Sequence, residues 1–116
     1  MNYEPECGDI IWIGLTPQSG HEQAGRRPAI VISPIKYNSK TGLLICCPIT
    51  SQEKNYPFEV HIPKGFPVSG VILADQVKNL DWHVREAQFI CKMPHSVIEQ
   101  VVEKISLLLE FLVSDQ

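Results

Sequence analysis

No apolar stretch in this 116-residue chain approaches the ~20 residues that a bilayer-spanning helix needs. A membrane span is therefore not expected. The opening "MNYEPECGDI" has neither a basic start nor an apolar core, so it does not read as a secretory signal, and the cytosol is the expected compartment. There is no CxxC pair: Cys46 and Cys47 are adjacent, and Cys7 and Cys91 stand alone. That spacing does not seed a zinc site, and thiols in a reducing compartment usually serve as small buried hydrophobes. Repeats, low-complexity runs and linkers are also missing, which leaves one domain over residues 1–116. The phosphate-binding and nucleophile motifs GxGxxG, P-loop and GxSxG do not occur. "HEQAG" opens like the zinc-protease motif HExxH, but Gly25 stands where the second histidine is required. His61, His83 and His95 lie far apart in sequence. No metal centre and no cofactor is expected.

What is present begins with an uneven charge distribution. The net charge of −3 divides into acidic ends and a basic centre, where residues 21–92 carry nine Lys or Arg against six Asp or Glu. This suits an anionic ligand on one face, and it suits a mixed solvated surface equally well. Short β-rich apolar runs occur at 9–15, 28–33 and 43–50, the last two joined by the turn-like "NSKTG". "FEVHI" (58–62) alternates as a half-buried strand should, and 70–75 and 87–93 read as two more strands. Short strands punctuated by turns predict a mainly β fold, a small barrel or tightly coiled sheet. The C-terminal segment differs. Val97, Val101, Ile105, Leu108 and Leu112 recur at helical spacing, backed by Ile98, Val102 and Leu109. Ser96 and Glu99 can form a capping box, or Pro94 can open the helix. Leu107, Phe111 and Val113 widen the apolar stripe, so this helix either meets a second subunit or is buried on two sides within one chain.

One constellation of polar groups remains. Glu22, Arg26 and Arg27 crowd one loop, Thr50 and Ser51 end one strand, and Asp75 and Gln76 end another. Groups at strand ends can converge on one concave surface. Arginine binds phosphate bidentately with a permanent charge, hydroxyls donate to the same oxygens, and a carboxylate accepts a proton when its pKa is raised. A salt-bridged surface would use the same residue types.

The strings "GDIIWIGLTPQSGHEQAGRRPAIVIS", "YNSKTGLLICCPITSQEKNYPFEV" and "GVILADQVKNLDW" closely resemble the MazF/PemK family of toxin–antitoxin ribonucleases over nearly the whole chain. The resemblance implies a small SH3-like barrel with a C-terminal helix, usually a homodimer. It implies metal-independent, sequence-specific cleavage of single-stranded RNA, typically messenger RNA, and inhibition by a MazE-like antitoxin whose flexible acidic segment fills the RNA groove. By position, it assigns catalysis to Arg27 in "RRP", Thr50 in "CCPITS" and Glu22 in "HEQAG". RNA contacts would fall to His21, Gln23 and Arg26 on the first loop. Ser51, Lys54 and Tyr56 after the third strand would add to them, with Asp75, Gln76 and Lys78 from the "ADQVK" segment. Two positions depart from the pattern: Arg26 stands where close relatives often have histidine, and Gly14 where some members carry an acid.

Such an enzyme most simply uses the RNA's own 2′-hydroxyl as nucleophile. Arg27 would then stabilise the phosphorane, Thr50 would donate a hydrogen bond, and Glu22 would act as base or position one. Bases would stack on aromatic rings, with Tyr56 and Trp82 the better surface candidates and Trp12 and Phe58 more often core. Trp82 serves equally well at a subunit interface. Two rivals use the same fold: a gyrase-poisoning toxin like CcdB, and a silent homologue that only binds antitoxin. Retention of Glu22, Arg27 and Thr50 together favours the nuclease.

Overall fold

A computed structural model describes residues 3–15 and 25–109 of the chain. Among these, seven strands and two helices follow in the order β1 (Asp9–Gly14), β2 (Arg26–Val31), α1 (Ile35–Thr41), β3 (Leu43–Thr50), β4 (Glu59–His61), β5 (Val71–Leu73), β6 (Lys78–Asp81), β7 (Gln88–Lys92) and α2 (His95–Leu109). The six strands expected from the apolar runs all form, with ends shifted by at most two residues; β2 begins and ends two residues earlier than expected. Helix α1 and strand β6 are additions to that expectation. "NSKTG" is not a bare turn but the second half of α1, which ends at Gly42 in the left-handed conformation (φ 74°).

All pairing is antiparallel, and the path runs β4-β5-β3-β2-β1-β7 with β6 also on β3. Among the described residues no ladder joins β4 to β7, so the small mainly β fold is a coiled sheet rather than one closed by strand pairing. Its organising strand is β3. Residues 46–48 pair with β2, 43–46 with β6, and 49–50 with β5.

Both faces of the sheet are buried near its centre, which is why β1 and β3 read as nearly continuous apolar runs. One core gathers Ile10, Ile30, Cys47, Ile49, Val60 and Ile72 under Val97 and Val101 of α2. The other gathers Ile11, Ile13, Ala29, Val31, Leu44 and Cys46 against Trp82. Fully burying one such aliphatic side chain contributes about 1.5–3 kcal/mol, so β1, with Ile10, Ile11 and Ile13 all at 0 % exposure, ties the two cores together. All four cysteines are free thiols, with Cys46 and Cys47 buried as expected and Cys7 and Cys91 half-buried.

The two tryptophans exchange their expected places. Trp82 is buried among the second core, and its indole N–H donates to the Asn38 carbonyl at 2.9 Å, which supplies the partner that a buried indole needs. It is a core ring, neither a surface ring nor an interface one. Trp12 is 41 % exposed, because the first core ends at Ile10 and, among the described residues, no core cluster covers the next residue on that side of β1. Asn38 explains α1. Its fully buried amide accepts from Ser33 Oγ and donates to the Pro5 and Ser33 carbonyls, so a polar residue anchors this helix.

Helix α2 opens with the Val97 N–H on the Pro94 carbonyl, which sets Pro94 immediately before the first helical residue. Within α2 only Val97 and Val101 are fully buried; Val102, Leu107, Leu108 and Leu109 lie exposed. Burial on two sides within one chain is thereby excluded for these residues. The expected stripe members Leu112, Phe111 and Val113 lie outside the described residues.

Candidate active site

Two of the expected site residues lie at neighbouring ends of paired strands. Ala29 pairs with Pro48, Ile30 with Cys47 and Val31 with Cys46, so Arg27 and Thr50 each lie two residues past the last of these pairs, Thr50 lining the cleft described below and Arg27 outside its lining. Arg27 pairs with Ile13, on the same face as the second core, whose rim it forms. Thr50 ends β3 and is 7 % exposed. Its hydroxyl oxygen accepts the Gln52 N–H at 3.1 Å, so its own proton remains to donate.

Thr50 lines a concavity of about 300 Å³ together with Gln52, Lys54, Tyr56, Glu59, Leu73, Asp75 and Gln76. The pairings of β3 with β5 and of β5 with β4 explain the convergence. Thr50 pairs with Val71 and Glu59 with Leu73, so alternation turns Thr50, Leu73 and Glu59 to one side of the sheet. Tyr56 is half-exposed and packs its ring 5.8 Å from the half-buried Phe58. Its hydroxyl hydrogen-bonds to the Asp75 carboxylate, and that bond and the carboxylate's charge hold the phenol above its ordinary pKa. Tyr56 therefore stays a neutral donor throughout the physiological range.

The remaining expected residues are dispersed. Ser51 is exposed just past the end of β3. Lys78 stands opposite Cys46 in β6, away from the concavity lining. The Arg26 guanidinium donates to the carbonyls of Arg85, at 3.1 Å, and Glu86, while Arg85 returns a 3.0 Å bond to the Gly14 carbonyl. Arg26 thus fastens the β1–β2 end to the 82–87 turn. His21, Glu22 and Gln23 lie outside the described residues. Gln52, Glu59 and Leu73 belong to the lining although the sequence does not single them out. Glu59 sits in a quoted motif, but the alternation of "FEVHI" marks it as outward-facing, and only the fold reveals that outward there means into the cleft.

A small coiled β-sheet thus carries at the end of its third strand a polar cleft with a nearly buried threonine, a half-exposed tyrosine and charged groups of both signs. The family described as PemK-like, MazF-like toxin of type II toxin–antitoxin system matches residues 6–109, and the chain belongs to it. Endoribonuclease toxin MazF of Escherichia coli K12 is 45% identical over 107 residues, which cover 92% of this chain and 96% of that protein. Endoribonuclease toxin ChpB of the same strain is 34% identical over 113 residues, covering 92% and 96%. The crystal structure of MazF (Form-I) from Deinococcus radiodurans superposes with a TM-score of 0.90 at 49% identity, covering 93% of this chain and 98% of that one. The MazE–MazF crystal structure (Form-II) from the same organism gives a TM-score of 0.85 at 49% identity, covering 93% and 97%.

Proposed function

We infer that the chain is an endoribonuclease toxin held in check by an antitoxin partner. Family membership and the endoribonuclease relatives matched over nearly their whole length support the activity, and the MazE–MazF crystals of a relative support the partner. The substrate is single-stranded RNA, cleaved at a short recognition sequence without a metal ion. The antitoxin is MazE-like, with an acidic flexible segment that competes for the same groove. The enzyme works in the cytoplasm as a single-domain homodimer, a reading supported by the exposed leucines of α2.

The observation that supports the mechanism is Thr50 on the wall of the polar cleft, at the end of the strand whose partner β2 carries Arg27. The RNA's 2′-oxygen attacks the adjacent phosphorus as its proton is removed, and the bond from phosphorus to the 5′-oxygen breaks as that oxygen is protonated. Negative charge builds on the phosphoryl oxygens in between. Arg27 answers it with a permanently charged planar donor pair, and Thr50 with a hydroxyl already oriented by the Gln52 amide. Glu22 takes the 2′ proton or positions the group that does. Lys54, Tyr56, Asp75 and Gln76 line the path of the neighbouring nucleotides, where Tyr56 offers a ring for stacking worth ~1–3 kcal/mol per base. The products are a 2′,3′-cyclic phosphate and a 5′-hydroxyl.

The test is incubation of the purified chain with mixed-sequence single-stranded RNA in excess EDTA, beside Arg27→Ala. Discrete cuts with cyclic-phosphate ends are expected, reduced by roughly 10²–10³ in the variant, the usual loss on removing one preorganised donor. An Arg27→Ala variant that cuts at the wild-type rate removes Arg27 from the mechanism. Intact protein that leaves all RNA whole overturns the nuclease reading.

A further inference from the structure

The cleft wall between β3 and β4 is made by residues 52–57, all exposed and outside any ladder. Such a segment keeps one conformation only if side chains hold its backbone. Three do so. Thr50 Oγ1 accepts the Gln52 amide, the Lys104 ammonium donates to the Pro57 carbonyl, and Glu59 holds the middle. Glu59 is 7 % exposed and its carboxylate receives the Lys54 amide at 3.0 Å on one oxygen and the Tyr56 amide at 3.2 Å on the other. Between those amides Asn55 adopts a left-handed conformation (φ 56°), which turns both N–H groups toward one point. Converging backbone amides around a left-handed residue form an anion-binding nest, and here the anion is the chain's own.

We propose that Glu59 is a positioning residue of the active site, its buried carboxylate fixing the Lys54–Asn55–Tyr56 turn so that the Lys54 ammonium and the Tyr56 ring face the RNA. This rests on the nuclease reading above. The alternative, a purely structural acid, does not explain why the two amides it grips belong to the two residues expected to touch RNA. Nor does Glu59 need the nest to hold β4 in place: its own N–H already bonds to the Tyr56 carbonyl at 3.0 Å, and Val60 anchors the strand in the core.

Glu59→Gln tests the proposal, since glutamine keeps the shape but sets an NH₂ against one of the two amides. Exchange of the Lys54 and Tyr56 amide hydrogens should quicken by about tenfold to a hundredfold, the loss expected of one charge-assisted hydrogen bond, while exchange at Ile49 and Ile72 stays unchanged. RNA cleavage at subsaturating substrate should fall by a similar factor. In a Lys54→Ala/Tyr56→Ala background the same Glu59→Gln change should cost little, because the groups it positions are gone. Additive losses in that background, or unaltered exchange at Lys54 and Tyr56, overturn the proposal. Were the wild-type chain itself to leave RNA uncut, the nuclease reading fails first; the exchange result still decides whether Glu59 orders the turn, and unaltered exchange overturns that too.

Discussion

Gly70 packs its backbone against that of Thr50, and replacing it tests how Thr50 is held. Gly70 has φ +112°, and a Cβ there would lie 2.2 Å from the Thr50 carbonyl oxygen and 3.0 Å from Ser51 Cα. Contacts below 3.0 Å essentially never occur, so in Gly70→Ala the Thr50 peptide must retreat by at least 0.8 Å, from 2.2 to 3.0 Å. Both clashing groups are backbone and cannot swing aside. Forcing alanine into that conformation costs about 1–3 kcal/mol, and overpacking adds about 1–3 kcal/mol. Reduced freedom of the unfolded chain returns about 0.4–1 kcal/mol. The net is a destabilisation of about 2–5 kcal/mol, or roughly 10–20 °C in melting temperature for a domain of this size. Gly65 supplies the control: its φ is +97° and a Cβ there would meet nothing within 4 Å, so Gly65→Ala incurs the conformational cost alone. Thermal melts followed by circular dichroism compare the two. Cleavage measured well below both melting points then reads the displacement of Thr50, for which about 10² in rate is the usual consequence of a misplacement near 1 Å. If Gly70→Ala melts with Gly65→Ala and cuts RNA at the wild-type rate, the close packing of Gly70 on Thr50 does not hold the site.

Two further expectations concern other parts of the molecule. Burial pushes the Cys46 and Cys47 thiols up to about 12, so the folded state keeps protons that the unfolded chain releases near pH 9; stability is full below that point and declines toward pH 12, by at most about 2.7 kcal/mol per pH unit for two groups. Melting temperature should fall between pH 9 and 10, and a Cys46→Ala/Cys47→Ala variant, less stable at pH 7, should show a shallower fall; equal slopes would refute the assignment. Leu108 is 46 % exposed on α2, so in the proposed homodimer Leu108→Asp should shift sedimentation from dimer to monomer and lower the melting temperature by no more than association contributes, and a dimer that persists would place the subunit interface elsewhere.

The strands are legible in the sequence because this sheet is buried on both faces at its centre. "LLICCPIT" announces β3 from end to end, and "DIIWIG" announces β1, since continuous apolar runs are what two-sided burial demands. Helix α1 is not legible, because its one buried residue is Asn38, whose contribution is hydrogen bonding rather than apolar periodicity. Strand β6, "KNLD", is short and polar and is recruited by its pairing with β3. The tryptophans mislead for a related reason: alternation predicts which side of a strand a ring occupies, not whether that side is covered at that point. Arg27 and Thr50 can be singled out as charge and hydroxyl at strand ends, but their place at neighbouring ends depends on the register of two strands that α1 separates. Glu59 illustrates the limit most clearly. A polar residue in an alternating strand reads as solvent-facing, and the cleft that receives it is assembled by β3, β4 and β5 together.

The sharing of β3 among three ladders has a consequence for the lifetime of the molecule. A strand bonded along one edge can peel away locally, but β3 is held by three partner strands along its length, and Thr50 sits at the end where β5 takes over. Freeing β3 as a whole therefore requires breaking its pairings with β2, β5 and β6, which is close to unfolding the whole sheet. Proteases reach such a segment through the globally unfolded population rather than through fraying, so their access scales with total stability. A substitution anywhere in the two cores that lowers the stability of the fold therefore exposes β3 to cleavage by the same factor.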